Sequence, residues 1–151
     1  MKRNTLIAAL CLTIAALLAA CGGENKQEAP ALNIDAAALS AEPSFIDHTQ
    51  DGVAMQLIAI RDEDDTVRLA LNTCQSCGGS PYAWFEYIGD DTLQCQNCGL
   101  TFNTATVGTP KAAGCNSVTV SDFTVEGDTV SVPGSVLASA KDLFKNWKAV
   151  D

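Results

Sequence analysis

Two CxxCG motifs lie in the middle of the chain and restrict what it can fold into more than any other feature. They read CQSCG over residues 74–78 and CQNCG over residues 95–99. In each motif one tight turn can present both sulfurs to a single ion or cluster, and the following glycine permits unusual backbone angles. Two such motifs supply the four soft ligands of a tetrahedral zinc ion or of an iron–sulfur centre. The predicted metal ligands are Cys74, Cys77, Cys95 and Cys98.

A fifth cysteine, Cys115, follows the second motif within the sequence AAGCNSV. It is a further candidate ligand, a thiol beside the centre or a disulfide partner. In an oxidising compartment the motif cysteines could instead form disulfides. The spacing of the two motifs favours a metal or cluster, and neither motif opens a helix after a buried parallel strand, as a thioredoxin-like oxidoreductase requires.

The N-terminal segment is typical of a bacterial export signal. Lys2 and Arg3 precede an apolar run over residues 5–20, which is shorter than the roughly 20 residues of a membrane-spanning helix. The run ends in LAAC and is followed by GG, which resembles the lipobox of bacterial lipoproteins. This resemblance implies removal of residues 1–20 and lipidation of Cys21, which would anchor the chain on the inner or outer membrane, facing the periplasm. The alternative is a secreted protein in which Cys21 has no role.

The segment after Cys21 is predicted to be a flexible tether over residues 21–43. It is rich in alanine, contains two prolines and lacks aromatic residues, so it offers little for a hydrophobic core. A short docking helix that uses Leu32, Ile34 and Leu39 is the alternative. The folded, metal-binding domain is predicted over residues 44–151.

Three β-hairpins are predicted from alternating apolar residues and from turns rich in acidic residues and glycine. Their strands pair residues 53–60 with 66–72, 83–88 with 92–95, and 119–125 with 129–132. In the first hairpin Val67, Leu69 and Leu71 alternate with other residues, which predicts one buried face.

One helix is predicted near the C-terminus, with Ser135 as its N-cap. Its apolar stripe comprises Val136, Ala140, Leu143, Phe144 and Trp147. The predicted fold class is therefore mainly β, a small antiparallel β-sandwich with two cysteine loops and one C-terminal helix that covers the core.

The charge and the remaining motifs exclude several functions. The formal net charge is −9, so the chain is not expected to bind nucleic acid, and a polybasic membrane patch is equally unexpected. The sequence has no GxSxG or Walker motif, and its single histidine, His48, lies far from the cysteines. No enzymatic activity is predicted.

The three blocks VRLALNTCQSCGG, YIGDDTLQCQNCGLTFNTATVG and AAGCNSV, continued by FTVEGDTVSVPGSVLASAKDLFKNW, resemble the FtrD-like domain. That family comprises predicted membrane iron–sulfur proteins found with bacterial iron-uptake systems of the Ftr type. The resemblance implies an iron–sulfur cluster, electron transfer or metal handling linked to iron uptake, and a partner protein from such a system. The family's cysteines correspond to Cys74, Cys77, Cys95, Cys98 and Cys115.

Two departures from the family pattern are visible. The third block reads AGCNS where the family usually has GGCNP, and the membrane spans that some members carry are missing. The second departure implies that any role in transport is that of an attached redox or binding partner.

The second cysteine block also resembles the second ligand loop of a Rieske domain, with Cys98 in place of a histidine. This likeness would put the centre between two loops at the tip of a small β-sandwich. Two other functions stay open, namely a structural zinc-ribbon domain that binds a protein and a metallochaperone that uses exposed thiolates.

Overall fold

A computed structural model of the chain describes residues 29–110 and 114–150, which form ten β-strands and one short α-helix. The predicted signal, the predicted lipidation site Cys21 and the start of the predicted tether lie outside the described residues. The strands are β1 (Leu32–Asp35), β2 (Ser44–Gln50), β3 (Val53–Arg61), β4 (Val67–Cys74), β5 (Phe85–Gly89), β6 (Thr92–Cys95), β7 (Thr101–Asn103), β8 (Ser117–Val120), β9 (Thr124–Glu126) and β10 (Thr129–Val132).

The strands form three antiparallel sheets, which confirms the mainly β fold class. Their orders are β1-β10-β9, β2-β3-β4-β8 and β5-β6-β7. The four-stranded sheet contributes to two separate hydrophobic cores, one shared with β1, β10 and the C-terminal helix and the other shared with β5 and β6. The cysteines of the second core lie where β4 and β6 end.

The first predicted hairpin is present as β3 and β4, but both of its faces are buried. Because side chains alternate along a strand, β3 directs Leu57 into the first core and Ile58 into the second. On β4 both Ala70 and Asn72 are fully buried. The prediction of one buried face was wrong because the β5-β6-β7 sheet packs on the face that was expected to meet solvent.

The folded domain begins earlier than the predicted boundary at residue 44. Leu32–Asp35 pairs with β10 in register, and Ile34 and Ala36 are buried in the first core. The alanines of residues 36–38 form a 3₁₀ turn, which the Asp35 carboxylate caps by accepting from the N–H of Ala37 at 2.9 Å. This part of the predicted tether is therefore folded, as a strand and a turn and not as a docking helix.

The third predicted hairpin is divided between two sheets. Val120 of β8 pairs with Leu69 of β4, whereas Val125 of β9 pairs with Val130 of β10. Ser121 and Asp122 are exposed where the chain crosses from one sheet to the other. The predicted strand 119–125 is thus two short strands, because β8 pairs with the edge of β4 whereas β9 pairs with β10.

The C-terminal helix, α1, spans Gly134–Ala140, and a 3₁₀ turn over Lys141–Phe144 continues it. Its N-cap is Pro133 with no side-chain hydrogen bond, so the prediction of Ser135 as the cap was wrong. Ala140 and Phe144 of the predicted stripe are buried, but Leu143 is 38% exposed. No helix in the described part of the chain is both long and apolar enough to cross a membrane.

Candidate metal centre

Four cysteine sulfurs converge between the ends of the strands in the second core. Their Sγ atoms all lie within 4.8 Å of one another, and they belong to Cys74, Cys77, Cys95 and Cys115. Cys74 ends β4 and Cys95 ends β6, so both are held by sheet hydrogen bonds. Cys77 and Cys115 come from the loops that follow β4 and precede β8.

The first motif forms a turn in which one backbone amide faces a sulfur of the same motif. The N–H of Cys77 donates to Cys74 Sγ at 3.3 Å, and the N–H of Ser80 donates to the Cys77 carbonyl at 3.1 Å. At the base of this loop the N–H of Cys74 donates to the Ala83 carbonyl at 3.0 Å. Such N–H···S contacts stabilise a thiolate, so the turn favours a metal-bound sulfur.

The second motif closes a similar turn. The N–H of Gly99 donates to the Cys95 carbonyl at 2.8 Å, and Gly99 adopts a φ of 74°, the left-handed region in which glycine is favoured. Ser80 Oγ donates to Asn97 Oδ1 at 2.6 Å, which joins the two motifs directly. The motifs therefore form one connected structure.

The Cys115 loop is attached to the first motif. The N–H of Gln75 donates to the Asn116 carbonyl at 2.9 Å, and the Gln75 side chain donates to the Ser117 carbonyl at 2.8 Å. Asn116 Nδ2 also donates to Thr106 Oγ1 at 3.0 Å. These bonds bring Cys115 Sγ to 3.5 Å from Cys74 Sγ.

Cys98 is the outermost of the five predicted site cysteines. Its Sγ lies 3.2 Å from Cys115 Sγ, but it is outside the group of four, and its residue is exposed. His48 lies on β2, where its Nε2 is 3.2 Å from Gln50 Oε1. The structure thus brings all five cysteines to one place and keeps the histidine elsewhere; which of them ligate a metal stays a prediction.

Cysteine sulfur ligates both single metal ions and iron–sulfur clusters, and the spacing of these four sulfurs fits a single ion. A tetrahedral ion with metal–sulfur bonds of about 2.3 Å separates its sulfurs by roughly 3.8 Å, close to the spacing here. The five cysteines in the described part of the chain are free thiols, and no disulfide joins any two of them.

Burial and hydrogen bonding set the acidity of these thiols in opposite directions. Burial raises the pKa of Cys77 to about 12, and burial also raises the pKa of Cys95 and of Cys115. The backbone N–H of Leu100, helped by the neighbouring Cys115 thiol, lowers the pKa of Cys98 to about 7. A cation bound beside Cys77, Cys95 and Cys115 would compensate the charge of their thiolates and so favour loss of their protons.

No acidic or basic side chain occurs in the segments that carry the sulfurs, which are residues 69–85, 92–110 and 114–121. The charge of several thiolates would therefore have no counterion among these segments. A cation at the centre supplies it.

Some residues that hold the site are not apparent from the cysteine spacing. Asn72 is fully buried, accepts from the Phe85 N–H at 2.8 Å and donates to the Phe85 carbonyl at 3.2 Å. The C-terminal segment also reaches the first motif, where Asn146 Nδ2 donates to the Gly79 carbonyl at 3.1 Å and the Lys148 N–H to the Pro81 carbonyl at 2.9 Å. Only the position of Asn72 two residues before Cys74 could have drawn attention to it.

A family model described as "Membrane iron-sulfur containing protein FtrD-like" matches residues 40–144, and the chain belongs to this family. The matched region contains all five cysteines of the site. No curated protein and no solved structure matches the chain. The Rieske-like resemblance and the lipidation of Cys21 stay predictions.

Proposed function

We propose that this FtrD-like protein is a lipid-anchored, periplasm-facing iron–sulfur protein that transfers electrons or handles metal for an iron-uptake system. It acts as a partner in that system and not as an enzyme. One observation carries the proposal: four sulfurs lie within 4.8 Å of one another in a chain whose family is described as containing iron–sulfur proteins.

The surroundings of the sulfurs support an electron-transfer centre. An iron–sulfur cluster held here would supply a one-electron redox couple. Cys74 and Cys95 end paired strands, and hydrogen bonds join the loops of Cys77 and Cys115 to each other through Gln75 and Asn116. Such a cross-linked frame keeps the sulfurs in place in both oxidation states, which keeps the reorganisation on electron transfer small.

The path from this centre to solvent is short. Cys98 is exposed beside the group of four, Leu100 two residues later is 60% exposed, and Tyr82 in the loop after the first motif is 48% exposed. A partner protein that covers this end of the domain would come within a few residues of the sulfurs. Electron-transfer partners commonly bury only a small interface, so contact limited to this end of the domain suits a transient complex.

The start of β1 limits how far the domain can move from the membrane. If Cys21 carries the lipid, residues 22–31 connect it to Leu32, and ten residues span at most about 35 Å. The domain would therefore work close to the membrane surface, where an uptake system is also located.

The experiment is metal and sulfide analysis of the mature protein, purified without oxygen. We expect iron with acid-labile sulfide, visible absorption and an electron paramagnetic resonance signal after reduction. A double variant, Cys74→Ser with Cys95→Ser, should lose all three, and Ser76→Ala, an exposed change within the first motif, should keep them. A colourless protein with one zinc ion would establish the structural zinc alternative instead.

A further inference from the structure

We infer that Cys115, and not Cys98, completes the inner four-sulfur site with Cys74, Cys77 and Cys95, and that Cys98 is the entry sulfur through which a soft metal ion reaches it. This inference rests on the proposed function, because it assigns roles within the same centre. It departs from the ligand set that two CxxCG motifs predict.

Distance separates Cys98 from the other four sulfurs. The group of sulfurs that all lie within 4.8 Å of one another includes Cys115 and leaves out Cys98. Cys98 Sγ lies 3.2 Å from Cys115 Sγ, so it is next to the site without being part of its inner group.

Cys98 is also less buried than the other four cysteines. Cys74 and Cys95 are 1% and 0% exposed, and Cys77 and Cys115 pack against the same hydrophobic core. Cys98 is exposed and does not belong to this core. Cys77 and Cys115 are partly buried, so Cys98 is the most exposed of the five and the one that an incoming ion meets first.

The loop of Cys115 and the turn of Cys98 are also held differently. Two hydrogen bonds from Gln75, to Asn116 and Ser117, fix the Cys115 loop against the first motif. Cys98 instead lies on the exposed part of its turn, immediately before Gly99 and the exposed Leu100. The non-local attachment therefore brings Cys115 over Cys74, in the position that the second cysteine of the second motif was expected to take.

The proposed loading step is a ligand exchange. A soft divalent ion binds the Cys98 sulfur, forms a second bond to the adjacent Cys115 sulfur and then bonds the three inner sulfurs, while the bond to Cys98 breaks. Each thiol that binds releases its proton to water, the Cys98 sulfur takes up a proton again when its bond to the ion breaks, and no electrons are transferred. The short Cys98–Cys115 distance makes the first transfer possible without movement of the backbone.

The test is alkylation of the mature protein, with its metal bound, by iodoacetamide, followed by mass spectrometry that locates each modified cysteine. We expect Cys98 to react while Cys74, Cys77, Cys95 and Cys115 are protected. Reaction of Cys115 with protection of Cys98 would overturn the inference and leave the proposed function standing. Reaction of all five would overturn both.

Cadmium loading of the metal-free mature protein tests the entry role with matched variants. Cys98→Ser should keep the full sulfur-to-cadmium charge-transfer absorption and bind Cd²⁺ at least several-fold more slowly. Cys115→Ser should lose roughly a quarter of that absorption, since one of four sulfurs is removed. Full absorption in Cys115→Ser together with a loss of absorption in Cys98→Ser would overturn the inference. An unchanged rate of Cd²⁺ binding in Cys98→Ser would also overturn it. Alkylation of the wild-type protein decides the ligand set even if a variant fails to fold.

Discussion

The indole N–H of Trp147 donates to the backbone carbonyl of Asn72 at 2.8 Å, which joins the C-terminal segment to the strand that ends in Cys74. The Trp147 ring also packs edge-on against Phe144, with 5.5 Å between the ring centroids. Together with the contacts of Asn146 and Lys148 to the loop of the first motif, this bond makes the C-terminal segment part of the support of the site.

Trp147→Phe should therefore lower the free energy of unfolding by about 1–3 kcal/mol, because the Asn72 carbonyl loses this donor while the ring is largely preserved. Urea unfolding of the metal-free protein measures it. Trp84→Phe is the matched control, since the Trp84 indole donates only to the Glu86 carboxylate, at 3.4 Å and in an exposed position. Equal effects of the two substitutions would show that the Asn72 contact contributes nothing specific.

Gly108→Ala should destabilise the domain by at least about 2 kcal/mol. Gly108 has a φ of 67°, and a Cβ there would lie 2.8 Å from both the N and the O of Leu69, atoms of the central sheet that cannot move cheaply. Gly52→Ala is the control, because Gly52 also has a positive φ but has nothing within 4 Å of a new Cβ. Thermal unfolding that ranks Gly52→Ala as the more damaging change would contradict this packing argument.

Arg68 should be required for the position of the loop before Cys115. Its guanidinium forms two 2.7 Å bonds to the Asp62 carboxylate and donates to the carbonyls of Thr104 and Val107 at 2.9 and 2.8 Å. Arg68→Lys cannot keep this planar set of bonds and should cost about 1–3 kcal/mol.

The same variant should also make Cys115 react faster with iodoacetamide in the metal-free protein, since Thr106 of this loop accepts from Asn116. Lys145→Gln, which removes an exposed ion pair with Asp142, should change stability by less than about 0.5 kcal/mol. Unchanged reactivity of Cys115 in Arg68→Lys would show that the loop held by Arg68 does not position Cys115.

Metal affinity should rise with pH. The pKa values of Cys77, Cys95 and Cys115 are raised by burial, so these thiols are protonated in the metal-free protein at neutral pH and must lose their protons to bind. At least three protons should be released for each ion bound, which calorimetry in buffers of different ionisation enthalpy measures. Binding that releases one proton or none at pH 7 would mean that the inner sulfurs are not the ligands.

Cys21→Ser should release the domain from the membrane into the soluble fraction, because it removes the predicted site of the lipid. Cys11→Ser is the control, since Cys11 lies within the predicted signal and should be absent from the mature protein. Mass spectrometry of the membrane-bound form should find acyl chains on Cys21. A mature chain that starts with an unmodified cysteine, or that keeps the signal, would overturn the prediction.

Local patterns in the sequence determined much of the fold. The runs that became β3, β4, β5 and β6 were predicted because alternating apolar residues and acidic or glycine-containing turns act over a few neighbouring residues. The two cysteine turns follow equally from local chemistry, since two intervening residues and a glycine suffice to form them. Convergence of the four motif cysteines at one place was also predicted, because two motifs with two sulfurs each supply the ligands of one four-coordinate site.

Tertiary structure decided what depends on partners distant in sequence. The sequence of Leu32–Asp35 alone resembles a flexible tether. It forms a strand because it pairs with β10 and because Ile34 packs in the first core. The exchange of Cys115 for Cys98 in the inner group depends on bonds from Gln75 to Asn116 and Ser117, about 40 residues away along the chain. Spacing within a motif fixes which sulfurs can meet, but the packing of loops from different sheets decides which of them are buried together.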